Sequence, residues 1–355
     1  MDCPYHSLPS TSWWSKSVAG RSAKDIVPHL QSRLKIAPDT LVASAGSCFA
    51  QHISRALTER GYNYAQAEPA PPYLPAETAS RYNYGVFSAR YGNIYSTLQF
   101  LQLVQRALGQ FVPADQYWEA ADGRCFDLLR PRIVPGGFSS RTEAEADMRQ
   151  HLASVRKLIE TADVFVFTLG LTETWISRQD GTAYPTCPGC GSAGDYDPDK
   201  YIFENLSVSR CLDALSSAIE LITACNPRIQ FVLTVSPVPL IATMTDSHVL
   251  QASVYSKSVL RVVAGELAQS RPNVHYFASY ELITATRNTH AFIEDDGRSI
   301  STDGVSHAMN SFFAHFSGDI EKPRLDQSNL SHGSLPVTPV VCDEEDFFRG
   351  LASSS

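Results

Sequence analysis

Nowhere in the 355 residues does an apolar run approach the roughly 18 residues needed to cross a bilayer. The opening stretch, residues 1–6, has neither the basic nor the apolar region of a leader. These two absences set the expectation of a cytoplasmic protein with no membrane span. A basic surplus is missing too: Lys+Arg is 29 against Asp+Glu 37, a net charge of -8, which argues against nucleic acid as a partner. Cysteine is thin. Eight residues spread over the chain do not make a disulfide scaffold, and in a reducing compartment they stay thiols. Cys187-Pro188-Gly189-Cys190 has no second Cys-x-x-Cys to complete a zinc site, and the acidic run 195–199 lacks the glycine and closing glutamate of a calcium loop. Neither a metal nor a cofactor is therefore expected.

What is present suffices for a large core, since hydrophobic residues make up 43% and charged residues 19%. Short apolar runs at Leu41–Ala45, Val164–Phe167, Phe231–Val235 and Val274–Phe277 read as strands buried on both faces. Between them, Ile53 and Leu57, then Met148, Leu152, Val155 and Leu158, then Leu212, Leu215, Ile219 and Ile222, and finally Val259, Val263 and Leu267 keep helical spacing. Strands alternating with helices predict an α/β fold, a three-layer α/β/α sandwich around a mainly parallel sheet. Residues 1–34 read as an extension packed on a domain spanning 35–318. Segments of about 62–140 and 177–206 break the alternation and are expected to wall a site, and the Ser-, Pro- and acid-rich 319–355 reads as a mobile tail.

Ligands bind beyond the carboxyl ends of such strands. Gly46-Ser47-Cys48 follows the first strand at a sharp turn into a helix, where backbone N–H groups face a developing oxyanion and the dipole favours a thiolate. Cys48 and Ser47 both qualify as nucleophile. The bland alternative is a tight turn with Ser47 as helix N-cap and Cys48 as a small packed residue. Gly170-Leu171-Thr172-Glu173 follows the second strand and Asp295-Asp296-Gly297-Arg298 comes after the last, so Glu173 and Asp296 place carboxylates on the same edge.

Gly46-Ser47-Cys48-Phe49-Ala50 resembles the signature of the GSCFA-domain family, a branch of the SGNH (GDSL-type) hydrolase superfamily. Tyr91–Tyr95, Thr168–Trp175, Tyr201–Ser207, Ser236–Pro239 and Tyr255–Ser258 resemble further family blocks in family order, covering about 35–315. The resemblance implies a flavodoxin-like sandwich and ester or acyl-transfer chemistry. It puts Cys48, rather than Ser47, where the superfamily carries its nucleophile, and it implies that Gly92 and Asn93 supply oxyanion donors beside the Cys48 amide. The superfamily's Gly-x-Asn-Asp block stands here as Gly170-Leu171-Thr172-Glu173, without the Asn, which leaves Thr172 as a weaker donor or a helix N-cap.

The expected Asp-x-x-His is also incomplete: Asp296-Gly297-Arg298 is followed by Ser299. If the turn keeps its geometry, residue 299 faces Cys48 and Ser299→His restores a base. His307, on the following helix, is the nearest stand-in, ahead of His275 and His290. The leading reading is an esterase or O-acyltransferase that forms an acyl-enzyme and acts on a small or carbohydrate-like acyl donor and acceptor. The alternative is a non-catalytic binding module that keeps the cleft and has lost its histidine. Oligomeric state is left open.

Overall fold

The computed structural model of the protein describes residues 3–26, 28, 32–190, 193–284 and 291–317. The tail at 319–355, His290 and parts of the N-terminal extension lie outside the described residues. In chain order, the short α1 (Trp14–Ser17) precedes β1 (Val42–Gly46), α2 (Ala50–Glu59), α3 (Ala76–Arg81), α4 (Thr97–Ala107), the hairpin β2 (Tyr117–Glu119) and β3 (Cys125–Asp127), and α5 (Arg141–Thr161). Then come β4 (Val164–Leu169), β5 (Glu173–Ser177), β6 (Ala183–Tyr184), β7 (Tyr201–Asn205), α6 (Val208–Cys225) and β8 (Gln230–Val235). The chain continues through α7 (Val249–Ser270), β9 (Val274–Phe277), α8 (Ser279–Thr284) and α9 (Thr302–Phe316).

The four apolar runs form one parallel sheet in the order β1-β4-β8-β9. Its two faces are both covered, which is why these strands read as continuous hydrophobic runs rather than alternating ones. Ala43, Phe165, Phe167, Phe231 and Leu233 pack against the layer of α4, α5, α6 and α7, through residues such as Phe100, Leu158, Leu215 and Val259. Val42, Val164, Val166, Val232 and Phe277 point the other way, onto Ile53, Leu57, Leu282 and Phe312 of α2, α8 and α9. Because successive strand side chains alternate between faces, each strand contributes to both cores, and the three-layer α/β/α sandwich follows.

Position along the sheet decides where a ligand fits. After α2 the chain returns along the outer edge of β1, where Val42 N donates to Asn63 O at 3.0 Å and Ala65 N donates to Val42 O at 2.8 Å. Tyr64 pairs there with Val42 in parallel. The next long strand, β4, lies on the opposite side of β1. The winding therefore reverses between β1 and β4, and the crevice of a doubly wound sheet opens at the carboxyl ends of those two strands.

A second, three-stranded antiparallel sheet, β6-β5-β7, is inserted between β4 and α6. Of the described extension, Ala23 joins the core under α9 and Lys24 pairs with Asp303 at 2.7 Å. Among the described residues no helix is long and apolar enough to cross a membrane.

Candidate active site

The first turn is forced by contact between two strands. Gly46 has φ +138°, and a Cβ there would lie 2.3 Å from Thr168 O, so only glycine lets β1 approach β4 this closely. Ser47 N donates to Thr168 O at 3.2 Å, and the chain then coils at once: Ala50 N bonds Ser47 O at 2.8 Å and Gln51 N bonds Cys48 O at 3.2 Å. The amides at 48 and 49 precede these bonds and stand at the positive end of α2. Phe49, Ile53 and Leu57 bury the helix against the sheet and so hold Cys48 in place.

Two further segments close over the strand ends. Ile94 N donates to Gly46 O at 2.9 Å, while Tyr95 O accepts from Gly170 N at 3.2 Å and Leu171 N at 2.9 Å. The stretch 91–95 thus straddles β1 and β4, and its exit is fixed by the capping box of Ser96 and Gln99 at the start of α4. Ser236, just beyond β8, donates its amide to Leu169 O at 2.9 Å, and Pro237-Val238-Pro239 makes a stiff wall.

A polar stripe on α7 ties the loops together. Ser253, Ser256 and Lys257 lie at helical spacing on the buried side. Ser253 Oγ accepts from Leu240 N at 3.1 Å, Ser256 Oγ accepts from Thr172 N at 3.0 Å, and Lys257 Nζ donates to Gly170 O at 2.7 Å. A lysine only 2% exposed is costly unless its charge is used, and here it is aimed at the end of β4.

These elements enclose a slot of about 10 Å³ lined by Ser47, Cys48, Tyr95, Gly170, Lys257 and Arg298, among others. That is room for a single small group such as a carbonyl. Ser47 is 3% exposed and its hydroxyl oxygen has no hydrogen-bond partner among the described residues, an arrangement that ordinarily costs about 1–3 kcal/mol. Ser47 is therefore not the helix N-cap. Two cations and a thiol share the slot, and its described lining carries no carboxylate and no imidazole.

The other sequence candidates are distributed as follows. Gly92 and Asn93 border a separate small cavity with Tyr91, Leu129 and Arg130, and Asn93 Oδ1 accepts from Gln51 Nε2 at 3.3 Å. Thr172 is followed by a strand rather than a helix, so it is not an N-cap; its hydroxyl donates to Asn205 Oδ1 at 2.7 Å, which occupies the proton an oxyanion would need. Glu173 lies outside the slot: it accepts from the Thr243 hydroxyl at 2.5 Å and from Met244 N at 3.1 Å.

Asp296 accepts from the Arg298 and Ser299 amides, each at 2.8 Å, and from the Ser299 hydroxyl at 2.5 Å. Burial works against its carboxylate, but these bonds outweigh it and hold the carboxyl below the usual range. The turn thereby sends Arg298, not Ser299, to the slot. His307 is corrected as well. Its ring stacks on Phe292, centroids 5.0 Å apart, and burial lowers its pKa; it belongs to the packing of α9. His275 sits in β9 against Gln230 Oε1 at 3.2 Å.

Residue-by-residue reading missed Lys257 and noted Arg298 on the site edge without a catalytic role. Lys257 stood inside a quoted family block, and its signal was a charge on the apolar face of a helix, flanked by Leu260 and Val263.

Residues 41–312, more than half of the chain, match the GSCFA family. The chain belongs to the GSCFA family. No curated protein matches it. Among solved structures, this GSCFA chain is similar to a carbohydrate esterase of family 3 from Talaromyces cellulolyticus, with 11% identity over 77% of this chain and 94% of that one and a TM-score of 0.36. It is also similar to a GDSL-like lipase from Parabacteroides merdae, with 13% identity over 81% and 98% of the two chains and a TM-score of 0.34.

Proposed function

We propose that this GSCFA protein is an acyl-transfer enzyme, an esterase or O-acyltransferase, with Cys48 as its nucleophile. The observation that carries the reading is the slot itself: a thiol at the head of α2, a 2%-exposed lysine and an unpartnered buried hydroxyl meet in a space the size of one carbonyl. Lys257 and Arg298, with the helix dipole, stabilise the Cys48 thiolate. The sulfur attacks the ester carbonyl; a C–S bond forms and the carbonyl electron pair moves to oxygen, where the Ser47 hydroxyl and the amides at the helix head receive it. Collapse breaks the C–O bond, and the leaving alkoxide takes a proton from solvent or from the Lys257 ammonium. Water or an acceptor hydroxyl then attacks the thioester, its proton passing to solvent or back to the Lys257 amine, and the C–S bond breaks to release the acyl group as acid or ester and return the thiolate.

One observation favours the binding-module alternative, namely that no imidazole lines the described slot. The two readings separate by turnover of p-nitrophenyl acetate by the intact chain and by Cys48→Ala. Turnover lost with Cys48 supports the enzyme, and absence of turnover of this and longer-chain p-nitrophenyl esters by a folded chain supports the binding module.

A further inference from the structure

Beside the slot, between β5, β7 and the loop 240–244, lies a far larger cleft of about 390 Å³. Its walls are apolar: Leu171, Trp175, Phe203, Leu240, Ile241 and Met244. The one carboxylate in its described lining is already engaged, since Glu173 is held by Thr243 and Met244, and those bonds fix the loop that forms one wall. Leu171 lines both the cleft and the Cys48 slot, while Pro239 of the slot precedes Leu240 of the cleft. The two spaces are therefore neighbours across one leucine.

On the acyl-transfer reading, we propose that the cleft is an acyl-chain subsite which receives the hydrocarbon tail of a medium-chain acyl donor while its carbonyl sits beside Cys48. The slot is too small for more than the reacting end, so the remainder of the acyl group must leave it, and the adjoining space offers dispersion contacts rather than hydrogen bonds. A methylene takes the ~30 Å³ of one water molecule, so a chain of about eight carbons fits with room to spare. A sugar ring fits poorly here: of the lining hydroxyls, Thr174 donates to Tyr184 O and Thr243 to Glu173, which leaves Thr186 to replace its hydration. Met244, 61% exposed, gives the mouth an adaptable edge.

Two measurements on the full chain test the subsite, one of them independent of catalysis. In the first, kcat/KM for p-nitrophenyl octanoate is compared with that for the acetate. The octanoate is expected to be favoured at least tenfold, and Ala242→Trp, which fills the cleft from a half-buried position, lowers that preference at least tenfold. In the second, octanoate is titrated calorimetrically into the Cys48→Ala chain; saturable binding is expected, with competition from decanoate but not from methyl glucoside. Octanoate binding without turnover of any ester would sink the catalytic reading and keep the subsite. Turnover indifferent to chain length, or a cleft that binds methyl glucoside and not octanoate, would overturn the subsite and leave the nucleophile standing.

Discussion

Lys257 Nζ donates to the carbonyl oxygen of Gly170 at 2.7 Å, which fixes an ammonium from the middle of α7 at the end of β4, in the same slot as Cys48. A cation so placed lowers the cost of a thiolate and does little for a thiol. Lys257→Gln keeps a donor for Gly170 and removes the charge. The Cys48 alkylation profile should then move to higher pH, with about a tenfold slower reaction at neutral pH. An unchanged profile would show that the lysine only braces the fold.

Cys48 should be the fastest thiol to alkylate in the folded chain. Burial pushes the Cys211 thiol up to about 11 and raises Cys125, and Cys187 is raised by burial and by the neighbouring Cys190. Quantifying modified peptides after brief iodoacetamide treatment checks the order. Faster labelling at any other thiol than at Cys48, the exposed Cys3 and Cys225 included, would count against a thiolate at the helix head.

Arg298→Ala should lower ester turnover at least tenfold, because Arg298 reaches the slot. Ser299→His, the change that the Asp-x-x-His pattern suggested, should alter it less than threefold, because position 299 is turned to Asp296. His307→Ala should cost stability and not turnover, since its ring covers Phe292. Steady-state kinetics on the three variants decide the matter, and a large gain from Ser299→His would revive the sequence alignment.

His151 is fully buried with its Nδ1 2.7 Å from a Glu68 carboxylate oxygen; burial and the charge of Arg130 outweigh that carboxylate and bring the pKa down to about 4. Above the ordinary histidine value near 6.5, folded and unfolded chains are both neutral at this site, so it contributes no slope. Below it the unfolded chain binds a proton that the folded chain refuses, and stability falls until the folded pKa is reached. Urea melts of the native chain and His151→Gln should therefore diverge progressively as the pH falls from about 6.5 towards 4; parallel curves would contradict it.

The sheet was legible because a strand buried on both faces has nowhere to put a polar residue. Val164–Leu169 and Gln230–Val235 differ by only one or two residues from the apolar runs that announced them. The antiparallel insert was not, since Glu173–Ser177 and Tyr201–Asn205 mix exposed and buried side chains and resemble loop until paired. Cys48 was singled out by its turn and by the family block. Arg298 was noted on the site edge and as a residue Asp296 could orient, but the motif drew the catalytic role to position 299; only the bonds that Asp296 makes to the backbone show which side chain the turn releases.

Gly46→Ala tests the turn itself. With a positive φ and a Cβ 2.3 Å from Thr168 O, the variant should lose about 3 kcal/mol or more, or fail to fold. Denaturation at neutral pH measures it, and a loss below about 1 kcal/mol would mean that β1 and β4 are not held this close.

The most direct measurement of the central claim is the mass of the protein quenched in acid seconds after mixing with p-nitrophenyl octanoate, followed by mapping of the modified peptide. The account predicts one octanoyl group per chain, carried as a thioester on Cys48 and cleared by hydroxylamine, with no adduct in Cys48→Ala. An acyl group found on Ser47, or ester turnover that survives Cys48→Ala, would contradict it.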